Sequence, residues 1–224
     1  EYICYLDSDD WWYPQKIEEQ LIALRNNRNI GMCYCTAGLF SHLPITGAER
    51  IRSLSDRSYS SFLPLLLVTG SRPWGTGSCM WRSSVADAIG PWLSSWTWED
   101  MDYDCRAGCL DVRLYHLPLT LCYYRASLDR ERLSNSDQMF KAQHKADALQ
   151  NIGRSLSASG KLNDRLISTA YGNTLCSHAL QLLKLNDRDR AELLLNMAQS
   201  LVHASDRLRI QCSVLSTMLS CLHS

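Results

Sequence analysis

The sequence predicts a mixed α/β part that is followed by an all-α part. Up to about residue 135, short apolar runs typical of buried strands alternate with segments of helical periodicity. After about residue 136 the strand-like runs stop and helical periodicity continues to the end. The chain has 224 residues, of which 46% are hydrophobic, so it can bury one sizeable core and a smaller appendage.

The elements of the first part follow one another at short intervals. Strand-like runs occupy residues 2–6, 30–35 and two stretches between 112 and 125. Helices are predicted from Pro14 to the polar run at 26–29, over 84–92 and over 98–109. In the first of these helices, Ile17, Leu21 and Leu24 recur at helical spacing, and a proline is tolerated in the first turn.

The second part is predicted to contain four helices. They lie near residues 138–157, 163–185, 189–204 and 206–222. Asp189 followed by Glu192 resembles a capping box at the start of the third helix. Paired helices of this length weakly resemble tetratricopeptide repeats, although no 34-residue self-similarity accompanies them. We therefore expect one domain at 1–135 and a helical extension at 136–224, joined by the polar run 133–137.

Composition excludes several classes of partner. Lys plus Arg and Asp plus Glu number 23 each, and no polybasic run occurs, so nucleic acid is not expected as a partner. No apolar run reaches the roughly 18 residues that a membrane-spanning helix needs. The ten cysteines form no zinc-type pattern and predict buried thiols in a reducing compartment. We expect a cytoplasmic location, which includes the inner face of a membrane, and, because the chain begins at Glu1, a fragment of a longer protein.

Three aspartates, Asp7, Asp9 and Asp10, follow the first strand-like run within four positions. If the chain stays extended, Asp7 and Asp9 lie on one side of the strand. Two carboxylates there suit a hard cation such as Mg²⁺ or Mn²⁺, which keeps waters and bridges to substrate phosphates. The same residues also fit a turn, because Asp and Ser hydrogen-bond locally to the backbone. Asp10 fits a capping or supporting role better than a metal ligand.

The segment "YICYLDSDDWWYPQKIEEQL" closely resembles the metal-site segment of family 2 glycosyltransferases of the GT-A fold. Further segments match that family in its order along the chain, and they cover about residues 1 to 135. They are "GTGSCMWRSSVADAIGPW", similar to the segment that lines the acceptor side, "WEDMDYDCRAGCLDVRLYHLP", similar to the segment that carries the base, and "LTLCYYR", similar to the closing strand. The resemblance implies an incomplete GT-A mixed sheet with flanking helices.

The resemblance also implies roles for particular residues. Asp7 and Asp9 would hold Mg²⁺ or Mn²⁺ together with the phosphates of a nucleotide-sugar donor, and Asp100 would be the catalytic base. The candidates for the acceptor side are Gly77, Ser78, Arg82, Glu99 and Trp98. Two features depart from the family: its N-terminal half, which holds the base and ribose, is absent, and "ASLDRERLS" after Arg125 lacks the histidine that many members have.

The acidic run from Glu99 to Asp104 has two interpretations. Carboxylates at the start of a helix compensate the helix dipole, and this alone accounts for such a run. Alternatively, one of them deprotonates an acceptor hydroxyl. On a helix, Asp104 shares the face of Asp100 and Asp102 does not.

The expected function is therefore the transfer of a sugar from a nucleotide-sugar donor to a hydroxyl of a glycan, lipid-linked or protein acceptor, with inversion and dependence on a divalent metal. The chain alone is expected to be inactive, because the part that holds the nucleoside is missing. One alternative is an interaction or scaffold segment whose transferase-like part is inactive. A weaker alternative is a metal-dependent phosphoryl-transfer enzyme. "GTGSC" at 75–79 fits neither a P-loop nor a serine hydrolase motif.

Overall fold

A computed structural model describes residues 1–126, 137–201 and 205–221, apart from residues 42, 44, 47, 48 and 53. The predicted junction at 133–136 lies outside the described residues, and so does the boundary between 135 and 136. By packing, the chain divides into two compact units. Unit 1 comprises residues Glu1–Phe62, Arg72–Pro91 and the stretch from Asp111 through the last strand. Unit 2 comprises Leu63–Ser71, Trp92–Leu110 and the C-terminal helices.

The described residues of unit 1 form a six-stranded sheet and two helices. Its strands are β1 (Tyr2–Ile3), β2 (Trp11–Trp12), β3 (Met32–Phe40), β4 (Arg50–Ile51), β5 (Cys79–Arg82) and β6 (Leu114–Arg125). Its helices are α1 (Lys16–Asn26) and α3 (Ser83–Ile89). The strand order is β1-β5-β3-β6-β2, with β4 paired to β3. Among the described strand pairs only β3–β6 is parallel, so the sheet is mixed, as the predicted fold class requires.

Strand β3 forms the centre of the sheet. Eight of its nine residues are buried, because it pairs with β5 on one side and with β6 on the other. Its apolar run "MCYCTAGLF" suits a strand that is covered on both faces. Cys33 and Cys35 lie within the core, and burial raises the pKa of both thiols to about 12. These thiols therefore stay protonated near neutral pH and act as packing groups.

The first strand is shorter and less buried than expected. Residues 2–6 were predicted as a buried strand, but only Tyr2–Ile3 pair with β5, and Leu6 is exposed. β1 lies at one end of the strand order and pairs only with β5 among the described strands. A strand with one neighbour buries less of each side chain than a central strand such as β3. The aspartates thus follow a partly buried edge strand.

Unit 2 is helical. Its helices are α2 (Leu65–Thr69), α4 (Glu99–Cys109), α5 (Gln138–Ala158), α6 (Arg165–Lys184), α7 (Arg188–Gln199) and α8 (Asp206–Cys221). Buried Leu, Ile and Ala side chains on α5, α6 and α7 form its core. The cap of α7 is Asp187, whose carboxylate accepts the Arg190 N–H, so the predicted capping box at Asp189 is wrong. No described helix is long and apolar enough to span a membrane.

Candidate active site

Asp7 and Asp9 lie on a tight turn after β1. The Asp10 N–H donates to the Asp7 carbonyl at 3.1 Å, which closes a turn across Ser8 and Asp9. The chain is therefore not extended here, and the expected strand alternation does not apply. Both carboxylates are nevertheless exposed on this turn. The residues therefore form a turn, and the same turn presents two carboxylates to solvent.

Asp10 ties the turn to the end of β6. Its Oδ1 accepts the backbone N–H of Arg125 at 3.1 Å. Just beyond it, Trp11 and Trp12 pair with Tyr123 and Cys122 of β6. Asp10 therefore supports the turn, as the sequence predicted.

The turn offers oxygen ligands of the type that Mg²⁺ and Mn²⁺ prefer. Asp7 and Asp9 supply two exposed carboxylates, and a hard cation held by two carboxylates completes its shell with water and substrate phosphates. In the described part of the chain, no group of three or more His, Cys, Asp or Glu side chains could hold a metal. Two carboxylates are thus the oxygen ligands that this turn itself offers.

A buried polar network lies behind the turn. The Lys16 ammonium is fully buried, donates to Gln20 Oε1 at 2.7 Å and lies 4.0 Å from the centroid of the Trp12 ring. The Gln20 amide donates to the carbonyls of Cys33 at 3.1 Å and Ser78 at 2.8 Å. Hydrogen bonds from the Gln20 side-chain amide therefore fix α1 to β3 and to the segment before β5.

Gly77 and Ser78 belong to a buried 3₁₀ turn, Thr76–Ser78. The Gly77 carbonyl accepts from Trp12 Nε1 at 2.7 Å, and the Ser78 hydroxyl donates to the Gly75 carbonyl at 2.8 Å. The Ser78 N–H also reaches the Tyr124 hydroxyl at 3.0 Å. Gly77 thus contacts Trp12, which follows the aspartate turn, and Ser78 contacts Gln20 of α1. The polar groups of both residues form hydrogen bonds within unit 1.

Gly75 is required for this close packing. A Cβ at this position would lie 2.5 Å from Cζ of Tyr124, whereas at Gly77 it would meet that ring at an ordinary 3.4 Å. The glycine thus allows the backbone to approach the tyrosine ring, which in turn positions the Ser78 N–H.

Arg82 lies at the other end of β5. Its guanidinium donates to the carbonyls of Ile30, Leu24 and Asn27 and to the Tyr2 hydroxyl. Leu24 and Asn27 lie at the C-terminal end of α1, where backbone carbonyls lack helical partners. The side chain therefore caps a helix and links it to β1 and to Ile30, just before β3.

The remaining predicted residues lie at the start of α4 in unit 2. Trp98 is the N-cap, and Glu99 and Asp100 occupy the first turn. Asp100 is partly exposed, and its Oδ1 accepts the Met101 N–H at 2.7 Å. Asp100 thus combines an accessible carboxylate with a backbone that fixes it.

Asp102 and Asp104 are both fully buried. Asp102 forms an ion pair with Arg106, with 2.9 Å between Oδ2 and Nε, and accepts from Asn151 Nδ2 at 2.6 Å. These contacts connect α4 to α5. Asp102 is therefore built into the interior of unit 2.

Sequence reasoning missed three polar residues. Lys16 and Gln20 form a buried stripe with Leu24, whereas the predicted core residue Ile17 is 44% exposed. The i, i+4 spacing of Lys16, Gln20 and Leu24 was visible, but polar residue types argued against a buried face. Lys145 was also missed; its ammonium lies 4.0 Å from the centroid of the Trp98 ring.

The fold is similar to that of a glycosyltransferase. The solved structure of residues 1–349 of S. aureus TarS in complex with UDP-GlcNAc matches with a TM-score of 0.63 and 12% sequence identity, over 93% of this chain. The chain covers 59% of that TarS chain, so it spans less than two thirds of its length. No family model and no curated protein matches the sequence. At this identity the likeness establishes the mixed α/β fold, in which a curled sheet is flanked by helices.

Proposed function

We propose that the protein containing this chain is an inverting glycosyltransferase that moves a sugar from a nucleotide-sugar donor to an acceptor hydroxyl. The observation that carries the proposal is the likeness of fold, over 93% of the chain, to a glycosyltransferase in complex with UDP-GlcNAc. The acceptor would be a glycan, a lipid-linked molecule or a protein.

The donor side of the proposal rests on the aspartate turn. Asp7 and Asp9 would hold Mg²⁺ or Mn²⁺, because they are exposed carboxylates on one turn. When bound, such a metal would neutralise charge on the leaving nucleoside diphosphate. Asp10 would keep the turn in place through its bond to β6. Gln20 would hold the helix that follows through its bonds to Cys33 and Ser78, with Lys16 bonded to Gln20.

The acceptor side rests on the start of α4. Asp100 would accept the proton of the acceptor hydroxyl while that oxygen forms a bond to the anomeric carbon and the bond from this carbon to the diphosphate breaks. Trp98 and Glu99 directly precede this carboxylate in the chain and are partly exposed. We propose that Gly77, Ser78 and Arg82 serve the acceptor side indirectly, since their polar groups are used in packing.

A reducing location is consistent with the thiols. Seven of the nine cysteines that the structure describes are buried. We therefore propose the cytoplasm, where such thiols persist without disulfide formation.

Donor binding is the first test. Calorimetry on the parent protein with Mn²⁺ and UDP should show that Asp9→Asn weakens metal-dependent binding. Asp87→Asn is the matched control, because Asp87 is an exposed carboxylate of the same unit on α3. Undiminished binding by the Asp9→Asn protein contradicts the donor side of the proposal.

Turnover is the second test. General base catalysis is worth about 10² to 10⁴ in rate, so Asp100→Asn should lower kcat by that factor and leave UDP binding unchanged. Asp147→Asn, at an exposed position of α5, is the control. A parent protein that binds the donor but never transfers sugar would favour the interaction or scaffold alternative. Release of inorganic phosphate would indicate phosphoryl transfer instead.

A further inference from the structure

Unit 2 contains a pocket of about 420 Å³ beside the start of α4. All of its lining residues belong to unit 2. The walls come from the C-terminal end of α2, from the N-cap of α4, from α5 and from one face of α6. The lining residues that matter here are Leu67, Trp98, Lys145, Asn173 and Ser177. This volume is of the size that holds a small ligand.

Trp98 lines this pocket in a strained conformation. Its φ of 66° lies in the left-handed region, where a bulky side chain is a rare outlier. Such a conformation is energetically costly and persists only where the surroundings impose it. Strain of this kind concentrates at binding sites, and here it directs an aromatic ring into a cavity wall.

Lys145 supplies the charge of the pocket. Its ammonium lies 4.0 Å from the centroid of the Trp98 ring, and burial lowers the pKa of the amine. No carboxylate among the described residues pairs with it. A cation that is partly withdrawn from water without a carboxylate beside it carries a desolvation cost, and a bound anion would offset that cost. The positive charge of Lys145 also contributes to lowering the pKa of nearby His178.

The rim of the pocket carries neutral polar groups. Asn173 and Ser177 are exposed, and they lie at i and i+4 on the α6 face that lines the pocket. An amide and a hydroxyl can both donate to and accept from the hydroxyl groups of a sugar or polyol. The pocket therefore combines one cation, one aromatic wall and hydroxyl-compatible groups.

We propose that this pocket binds an anionic group, a phosphate or a carboxylate, that is part of the acceptor of the proposed transfer. Lys145 is the counter-ion, the Trp98 ring is the wall, and Asn173 and Ser177 contact neighbouring hydroxyls. The inference rests on the proposed function, because Trp98 caps the helix whose first turn carries Asp100. The acceptor is thereby assigned to anionic glycans or polyols.

Binding without any donor tests this inference on the full chain. Glycerol 3-phosphate and glucuronate are the anionic probes, and glycerol and glucose are their neutral partners. The indole N–H resonance of Trp98, assigned with a Trp98→Phe variant, should shift with an anionic probe and saturate. Lys145→Gln should weaken that binding about 10- to 100-fold, the effect of one charge-assisted hydrogen bond. Lys184→Gln, the same change at an exposed position of α6, should leave it unchanged.

Several outcomes would overturn the inference. The first is a glycerol or glucose affinity that equals that of the anionic probe. The second is full affinity in a folded Lys145→Gln protein, as checked by circular dichroism. If that variant does not fold, a Trp98 resonance that stays unmoved in the wild-type chain decides against the pocket. UDP that competes at this resonance would assign the pocket to the donor's phosphates and so contradict the acceptor role.

The inference and the proposed function fail separately. A parent protein that transfers sugar while the pocket binds no anion contradicts only the inference. The converse outcome is a chain that binds glycerol 3-phosphate through Lys145 while the parent protein transfers no sugar. In that case the pocket is an anion site, and its proposed role in acceptor binding is wrong.

Discussion

Replacing Asp102 by asparagine should destabilise unit 2 far more than the same change at Asp100. The Asp102 carboxylate is fully buried between Arg106 Nε at 2.9 Å and Asn151 Nδ2 at 2.6 Å. An asparagine keeps one oxygen but places an NH₂ group against one of these two donors. It also removes the charge that neutralises Arg106, whose side chain is only 15% exposed.

The size of the effect follows from these contacts. Breaking a buried ion pair by removing one partner costs about 3 to 5 kcal/mol, and the partial exposure of Arg106 favours the lower end. In a protein of this size, each kcal/mol lowers Tm by about 2 to 4 °C. We therefore expect Asp102→Asn to lower Tm by roughly 6 to 12 °C, as measured by circular dichroism. Asp100→Asn should cost less than about 1 kcal/mol, because an asparagine can accept the same Met101 N–H.

The comparison separates a structural carboxylate from a catalytic one. In the parent protein, Asp100→Asn should lose turnover while keeping its Tm, and Asp102→Asn should lose Tm. Equal Tm losses for the two variants would refute the reasoning, and so would an Asp102→Asn protein that melts within 1 °C of the wild type. An Asn151→Leu variant, combined with Asp102→Asn in a double-mutant cycle, would measure the coupling between α4 and α5.

Three further changes test other contacts. Gly75→Ala should lower the free energy of unfolding by about 1 to 3 kcal/mol, because the added methyl overlaps the Tyr124 ring. The same change at Gly77 should cost much less, and equal urea midpoints for the two variants would contradict this. Arg82→Lys should lower the free energy of unfolding by about 2 kcal/mol, since an ammonium cannot match the fork of bonds to three carbonyls, and an unchanged urea midpoint would disprove it. Burial lowers the pKa of His178, so its contribution to stability is complete above about pH 6.5 and is lost as pH falls through the lowered pKa. The urea midpoint should therefore drop between pH 7.5 and 5.5, and His178→Gln should shrink that drop; an equal drop in both proteins would rule this out.

The helices of the chain were the most predictable elements. α5 was expected at 138–157 and covers Gln138–Ala158, because its apolar periodicity ends at polar residues. The third C-terminal helix was placed one residue late and given the wrong cap. Asp187 and Asp189 have the same chemistry, and the structure makes Asp187, which follows the left-handed Asn186, the residue that caps the helix.

Strand limits depended on pairing, which one sequence does not display. The two strands expected between 112 and 125 are one strand, β6, that continues through Pro118. The proline is tolerated because the register with β3 shifts there, so that Cys35 pairs with Leu117 and Thr36 with Thr120. A proline that lacks an N–H fits such an irregularity in the ladder.

The candidate site was predictable to the extent that its chemistry is local. The aspartate turn and the Asp100 carboxylate at a helix start follow from a few adjacent residues. The bonds of Arg82 reach residues more than 50 positions away, and those of Ser78 and Gln20 join separate segments. Such contacts depend on the assembled core, which neither composition nor spacing specifies.

Because Lys16 is buried, the rate at which a reagent labels its amine would measure local opening of unit 1. The sequence contains five lysines, and the other four, Lys141, Lys145, Lys161 and Lys184, are partly or fully exposed. An amine-reactive label in solution would modify those four while Lys16 stays protected behind Trp12 and Gln20. Mass spectrometry of the peptide that contains Lys16, followed over time, would then report how often the α1 face separates from the sheet.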